Sequence, residues 1–240
     1  MTRAAVAQPS GNRLLDGLPR EEYERLLLHA EQVYLPQGQS VVAPEKPVEH
    51  IHFPTGALIS LVSLMRDGGA VEAGLAGREG MTGLSALLGV RTTPMENVAQ
   101  IAGGAVKVNV EAVQAEFDRD GVFQHRVRRY MHALFVTSAQ TTACNRLHNT
   151  EQRLARWLLR ASDATGSEDL PLTQEYLGVM LGVRRAGVTE VAIRLRDQGI
   201  IDYVRGHIRI VERRRLEQVG CECYGVIKKE FDEMLGDGHR

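Results

Sequence analysis

Cysteine is scarce in this chain, with Cys144, Cys221 and Cys223 the only three. So few make no disulfide framework, which points to a reducing compartment. Long apolar runs are missing as well. None reaches the length of a membrane span, and the opening stretch MTRAAVAQPSGNR has no signal-peptide core, so a cytoplasmic protein with no membrane partner is expected. The sequence has no G-x-S-x-G, H-E-x-x-H or Walker motif, and no paired carboxylates in an acid/base setting. Catalysis is therefore not expected. What remains is ordinary soluble-protein material: 240 residues, 43% hydrophobic and 25% charged, enough for one or two domains.

The net charge of −1 hides a division. Residues 1–122 carry 10 Lys+Arg against 15 Asp+Glu, whereas residues 123–240 carry 19 against 15. Within residues 184–215, nine Arg face only Glu190, Asp197, Asp202 and Glu212. A cationic patch of that density suits a phosphate backbone. An acidic front and a basic back argue for two modules with separate tasks.

The front half opens with a short helix over 19–29, Pro19 suiting its first helical position and Tyr23, Leu26 and Leu27 its apolar stripe. From about 31 to 110 the pattern is short β-like runs (HIHF, ALISLVSL, AVKVNV) broken by Gly and Pro. That spacing predicts a sandwich or jelly roll rather than βαβ units. One segment interrupts it, GREGMTGLSALLGVRTTP. Its Glu79, Gly80, Gly83, Arg91 and Thr92 could form a small-molecule or phosphate site, since Gly-rich backbone amides and an Arg bind anions. Equally, the segment could be a loop and short helix spanning the roll.

After a short helix over 111–117, a long one is expected over about 122–147. Val127, Tyr130, Met131, Leu134, Thr137, Ser138, Thr141 and Cys144 recur at three- and four-residue steps. A two-stranded parallel dimer seam accounts for such a stripe, packing on the chain's own β module being the other reading. Asn149 then caps a helix over 150–164.

The stretch LTQEYLGVMLGVRRAGVTEVAIRLRDQGII organises the rest. Thr173 is placed to cap a first helix, with Leu172 and Leu177 as a hydrophobic staple. Gly182 ends that helix. A second runs over 184–198, burying Val188, Val191, Ala192 and Leu195 at i, i+3, i+4 and i+7. Its opposite face offers Arg185, Ala186, Thr189, Glu190 and Ile193. Arg bonds guanine bidentately, Glu accepts from the cytosine amino group, and Thr serves either base. IIDYV and HIRIV flank Arg205-Gly206 as a β-hairpin wing bringing Arg205, His207 and Arg209 near phosphates. A polar helix follows Arg213–Arg215 and runs to about Leu235.

These residues resemble the Crp/Fnr family of bacterial transcription regulators over about 14–227. EYLGVMLGVRRAGVTEVAIRLRDQGII looks like the family's winged helix-turn-helix, NTEQRLARWLL like its hinge and first DNA-domain helix, and REGMTG like divergent versions of its effector domain. The resemblance implies an α+β chain of three parts. They are a cyclic-nucleotide-binding-like β jelly roll over 14–121, a dimerisation helix over 122–148 and a winged helix-turn-helix over 149–225. It implies a homodimer on a palindromic operator in double-stranded DNA, and contact with RNA polymerase. By position, Arg185 matches the family's guanine-reading Arg, and Thr173 a phosphate-contacting hydroxyl. Ala186 stands where Glu is usual, and Glu190 where cyclic-AMP-responsive members place a second Arg.

Site residues follow from both readings. Arg184, Arg185, Thr189 and Glu190 would read bases, while Thr173, Arg205, His207 and Arg209 would hold phosphates. The effector is left unnamed. Aligning Gly83 to the Gly-Glu of nucleotide binders leaves Leu84 where the ribose-binding Glu belongs, so cyclic AMP is not expected. No cofactor is expected, and no N-terminal cysteine cluster is present for an iron–sulfur centre. His50 and His52 share one face of a strand but are read as ordinary strand residues. Cys221 and Cys223 are a close thiol pair. With only Cys144 besides, a zinc site would need histidine from elsewhere, so no metal is assigned. The alternative function is a small-molecule sensor acting through protein–protein contacts.

Overall fold

A computed structural model describes residues 9–204 and 206–236. Helices α1 (Arg13–Asp16) and α2 (Arg20–Leu27) precede five strands, β1 (Ala30–Leu35), β2 (Ser40–Val42), β3 (His50–Pro54), β4 (Leu58–Leu64) and β5 (Ala70–Ala76). Then come α3 (Leu84–Leu87), β6 (Glu96–Ile101), β7 (Gly103–Asn109) and α4 (Val110–Phe117). The strands form two antiparallel sheets, β1-β7-β3 and β2-β6-β4-β5. Such a double-sheet roll leaves only short edges open to other chains. Pro19 sits one position earlier than expected, as the N-cap of α2, with Glu21 and Glu22 in the first turn.

Helix α5 (Val122–Leu147) runs 26 residues, then α6 (Thr150–Thr165) begins on a capping box. In that box Asn149 Oδ1 accepts from Gln152 N–H, and the Gln152 side chain accepts from Asn149 N–H. Next come β8 (Asp169–Leu170), α7 (Gln174–Leu181), α8 (Arg185–Asp197), β9 (Ile201–Val204) and β10 (His207–Ile210). The last elements are α9 (Arg213–Val219) and α10 (Glu222–Leu235). Strands β8, β10 and β9 make a third antiparallel sheet.

Two expectations change here. The stripe on α5 faces inward: Val127, Tyr130, Thr137 and Cys144 are buried within this chain. These buried members pack on the chain's own β module and on α10, which lies along α5, whereas Ser138 of the same stripe stays exposed. Helix α10 also departs from a polar tail. It buries Cys223, Tyr224, Ile227, Phe231, Met234 and Leu235, and four of these join the same core as Leu14, Phe53 and Tyr130. A boundary at 225 therefore falls inside a helix that returns to the first module.

The modules share apolar packing elsewhere too. Leu58, Val62, Leu75 and Ile101 of the roll lie in one cluster with Trp157, Leu158, Leu177 and Leu195. Three buried arginines of α6 were not foreseen. Arg153, Arg156 and Arg160 face protein, not water.

Candidate nucleic-acid interface

Helix α7 starts where the sequence puts it. Thr173 Oγ1 accepts from Tyr176 N–H at 3.3 Å, satisfying an orphan amide. The helix ends at Gly182, whose φ of +60° is one that side chains with a Cβ rarely adopt. That stop turns the chain so that α8 crosses α7 and buries Val188, Val191, Ala192 and Leu195. The face turned outward carries Arg184, Arg185, Ala186, Glu190 and Ile193, all exposed. A cation, a carboxylate and a small residue thus stand on one solvent-facing side, the set a helix needs in a major groove.

Thr189 is committed differently. It is half-buried, and its hydroxyl lies 2.7 Å from Gln174 Oε1 and 3.0 Å from the Arg185 carbonyl oxygen. One O–H proton serves either acceptor, so the side chain ties α8 to α7 as well as edging the outward face.

In the wing, His207 pairs opposite Val204 and Arg209 opposite Asp202. Both His207 and Arg209 are exposed, with Asp169 3.9 Å from the former and Asp202 3.8 Å from the latter. Such long, wet pairs hold a side chain only weakly, leaving it free to meet a phosphate. Arg205 lies outside the described residues.

Not every arginine of the basic stretch is available. Arg213 turns inward to Asp163, Glu168, the Tyr224 hydroxyl and Ser162. Burial works against its charge, but Asp163 and Tyr224 outweigh that and hold its pKa above the usual value. It is a brace between α6 and α10. Arg194 pairs with Glu151 and Arg196 with Asp197.

The five candidate effector residues go separate ways. Glu79 is 4% exposed, and its carboxylate accepts from Arg160 Nη2 at 3.1 Å, a buried ion pair across the modules. A Cβ on Gly80 would sit 2.3 Å from the Tyr130 hydroxyl, so this glycine serves close packing. Gly83 is the N-cap of α3. Arg91 and Thr92 are exposed, Arg91 reaching Glu111 at 3.3 Å. A cavity of about 270 Å³ lies between the modules, lined by Glu79 and, among others, Arg13, Arg78, Arg160, Asp163 and Arg213.

His52 is buried, and burial, with His50 and Lys107 adding to it, lowers its pKa to about 4, so it stays neutral.

Residues 152–219 match the Crp-like helix-turn-helix domain. That span holds α7, α8 and the wing. The chain carries a Crp-like helix-turn-helix domain. Solved structures agree across both modules. FixK2 from Bradyrhizobium japonicum superposes with a TM-score of 0.68 at 15% identity, over 80% of this chain and 98% of its own. A Crp-family transcriptional regulator from Thermus thermophilus gives 0.65 at 17% identity, over 78% and 95%. The c-di-GMP-responsive global regulator CLP of Xanthomonas campestris gives 0.59 at 16% identity, over 80% and 99%. No curated protein sequence matches. The Crp/Fnr fold thus holds for the β roll as well as the reading helices. Among the described residues no helix is long and apolar enough to cross a membrane.

Proposed function

We propose that the protein is a dimeric transcription regulator, that α8 enters the major groove of a pseudo-palindromic operator, and that it is not an enzyme. The observation that carries this reading is the outward face of α8. Arg184, Arg185 and Glu190 stand free on the side opposite a fully packed stripe, within the Crp-like helix-turn-helix domain. Arg185 and Glu190 read base edges, while Thr173, His207 and Arg209, with Arg205, meet the backbone and set register.

A second copy of the chain completes the reader. On α5 Phe135 is 73% exposed, and Ser138, Ala139 and Thr142 continue the same outward side toward the C-terminal end. A large ring beside small residues on a long helix suits a parallel helical partner. Two reading helices then lie about one duplex turn apart, roughly 34 Å, on an operator with matching symmetry.

Control by a small effector acts through the contacts between the modules on this reading. The charged cavity beside Glu79 and Arg160 is the better place for it than Arg91 and Thr92, and cyclic AMP is not the effector we favour. RNA polymerase is the further partner, in the cytoplasm. Selection of bound sites from a random duplex pool, repeated with Arg185→Ala, tests the proposal. A symmetric consensus that blurs at one base pair per half-site in the variant is expected. Equal binding of all sequences at every salt concentration would instead favour a sensor acting through protein contacts.

A further inference from the structure

Three cysteines and a histidine distant in sequence meet at the hinge between the modules. Cys144 lies in the last turn of α5, His148 is that helix's C-cap, Cys221 is the N-cap of α10, and Cys223 is in its first turn. Cys144 Sγ is 3.5 Å from Cys221 Sγ, and Cys223 Sγ is 3.6 Å from His148 Nδ1. All four donor atoms lie within 4.8 Å of one another. We propose that these four side chains bind one tetrahedral metal ion, a zinc ion by their chemistry.

The separations suit that assignment. A zinc ion with thiolates at about 2.3 Å places neighbouring sulfurs roughly 3.8 Å apart at the corners of a tetrahedron. The cysteines are free thiols, and 3.5 Å is far beyond the ~2.05 Å of a disulfide. Three thiolates and an imidazole form a recurrent structural zinc set, too soft for magnesium or calcium. Iron–sulfur clusters ordinarily take four thiolates, whereas here three and a histidine converge on one point.

The surroundings are those of a metal site. His148 turns its other nitrogen, Nε2, to Glu222 Oε2 at 3.2 Å, the carboxylate partner that orients a ligating imidazole. Gln140 Nε2 donates to Cys223 Sγ at 3.1 Å. Zinc with three thiolates leaves the centre one negative charge. Arg153 and Arg156 of α6 are buried, Arg156 Nη1 donates to Thr141 Oγ1, one turn before Cys144, at 3.2 Å, and the Nε of each arginine has no hydrogen-bond partner. An anionic centre on that side of α6 adds counter-charge to them.

The position gives the ion a task. It fastens the end of α5 and the residue before the α6 cap to the start of α10. Arg153, at its edge, also donates to the Leu181 carbonyl at the end of α7. The ion therefore fixes the angle at which the reading helices leave the hinge. This inference does not depend on the operator reading.

The experiment uses the full-length chain purified without chelators. Elemental analysis is expected to find one zinc per chain, falling at least fivefold in Cys223→Ser and in His148→Ala. Reduced, metal-stripped wild type titrated with cobalt(II) alone is expected to show a thiolate-to-cobalt charge-transfer band and the intense ligand-field bands of a tetrahedral site, saturating at one equivalent. Wild type carrying no stoichiometric metal and giving no such spectrum would overturn the proposal and leave the cysteines as inert packing. Metal retained in both variants would overturn it as well, by placing the ion elsewhere. If the variants fail to fold, the wild-type cobalt spectrum alone decides.

Discussion

Trp157 Nε1 donates to Glu72 Oε1 at 2.9 Å, a hydrogen bond from the first helix of the DNA-binding module to β5 of the roll. The other carboxylate oxygen accepts from Ser60 Oγ at 2.7 Å. Glu72 is buried, and burial raises its pKa to about 7 against the pull of those bonds and of Arg156 and Arg160. A carboxyl whose folded pKa lies above its unfolded one contributes most at low pH, and that contribution is lost as pH rises through the folded value. Wild type is therefore expected to weaken between about pH 4.5 and 7. Glu72→Gln keeps the Trp157 bond on its amide oxygen and reverses the Ser60 bond, its NH2 donating to Ser60 Oγ, without the charge, so it should match wild type at pH 5 and exceed it at pH 8 by about 2–3 kcal/mol. Urea unfolding at the two pH values checks this, and equal gains at both would remove Glu72 as the cause.

Breaking the Glu79–Arg160 pair should be expensive. Both side chains are 5% exposed, and Arg160 also lies 4.4 Å above the Phe231 ring. Removing one partner strands a buried charge, so Glu79→Ala is expected to cost on the order of 3–5 kcal/mol of stability. Thermal unfolding without any added ligand measures it. A variant as stable as wild type would remove the pair as a structural brace between the modules.

The two classes of arginine should separate by their response to salt. Arg185→Ala is expected to lose ~1–3 kcal/mol on the selected operator and little on random duplex. Arg209→Ala should weaken both equally and lower the log–log salt slope by about 1. Fluorescence anisotropy at several salt concentrations distinguishes them, and a sequence-dependent loss for Arg209→Ala would reassign it to base contact.

Phe135→Glu places a charge on the outward side of α5 without touching the core. The chain should keep its fold by circular dichroism, sediment as a monomer, and bind the full operator at least tenfold more weakly. An unchanged sedimentation coefficient would move the dimer interface off this helix.

Much of this architecture is written in local pattern. The helix pair, its Thr173 cap and Gly182 stop, the Asn149 box and the length of α5 each follow from residues within one or two turns. The direction of the α5 stripe was not legible, because periodicity shows that one side is buried without saying what buries it. The roll and α10 supply that cover, and α10 lies about a hundred residues away in sequence. Charge misled in a similar way. Arg153, Arg156, Arg160 and Arg213 look like a solvated helix face, yet Glu79, Asp163 and the cysteine cluster are brought to them only by the tertiary fold. The cysteines alone assign no metal, because the histidine that joins them, His148, lies one position past the end of a helix and meets Cys221 and Cys223 only in the fold. Of the effector residues, Glu79 meets its partner Arg160 only through the tertiary fold.

The apolar cluster common to the roll and the reading module has a consequence for how this chain changes over generations. A sensor joined to its output by a loose tether can exchange one for the other by recombination at the joint. Here a crossover near residue 149 would strip Leu75 and Ile101 from Trp157 and Leu158, leaving two greasy surfaces in water. New specificity must therefore arrive by point substitution on the exposed flank of α8.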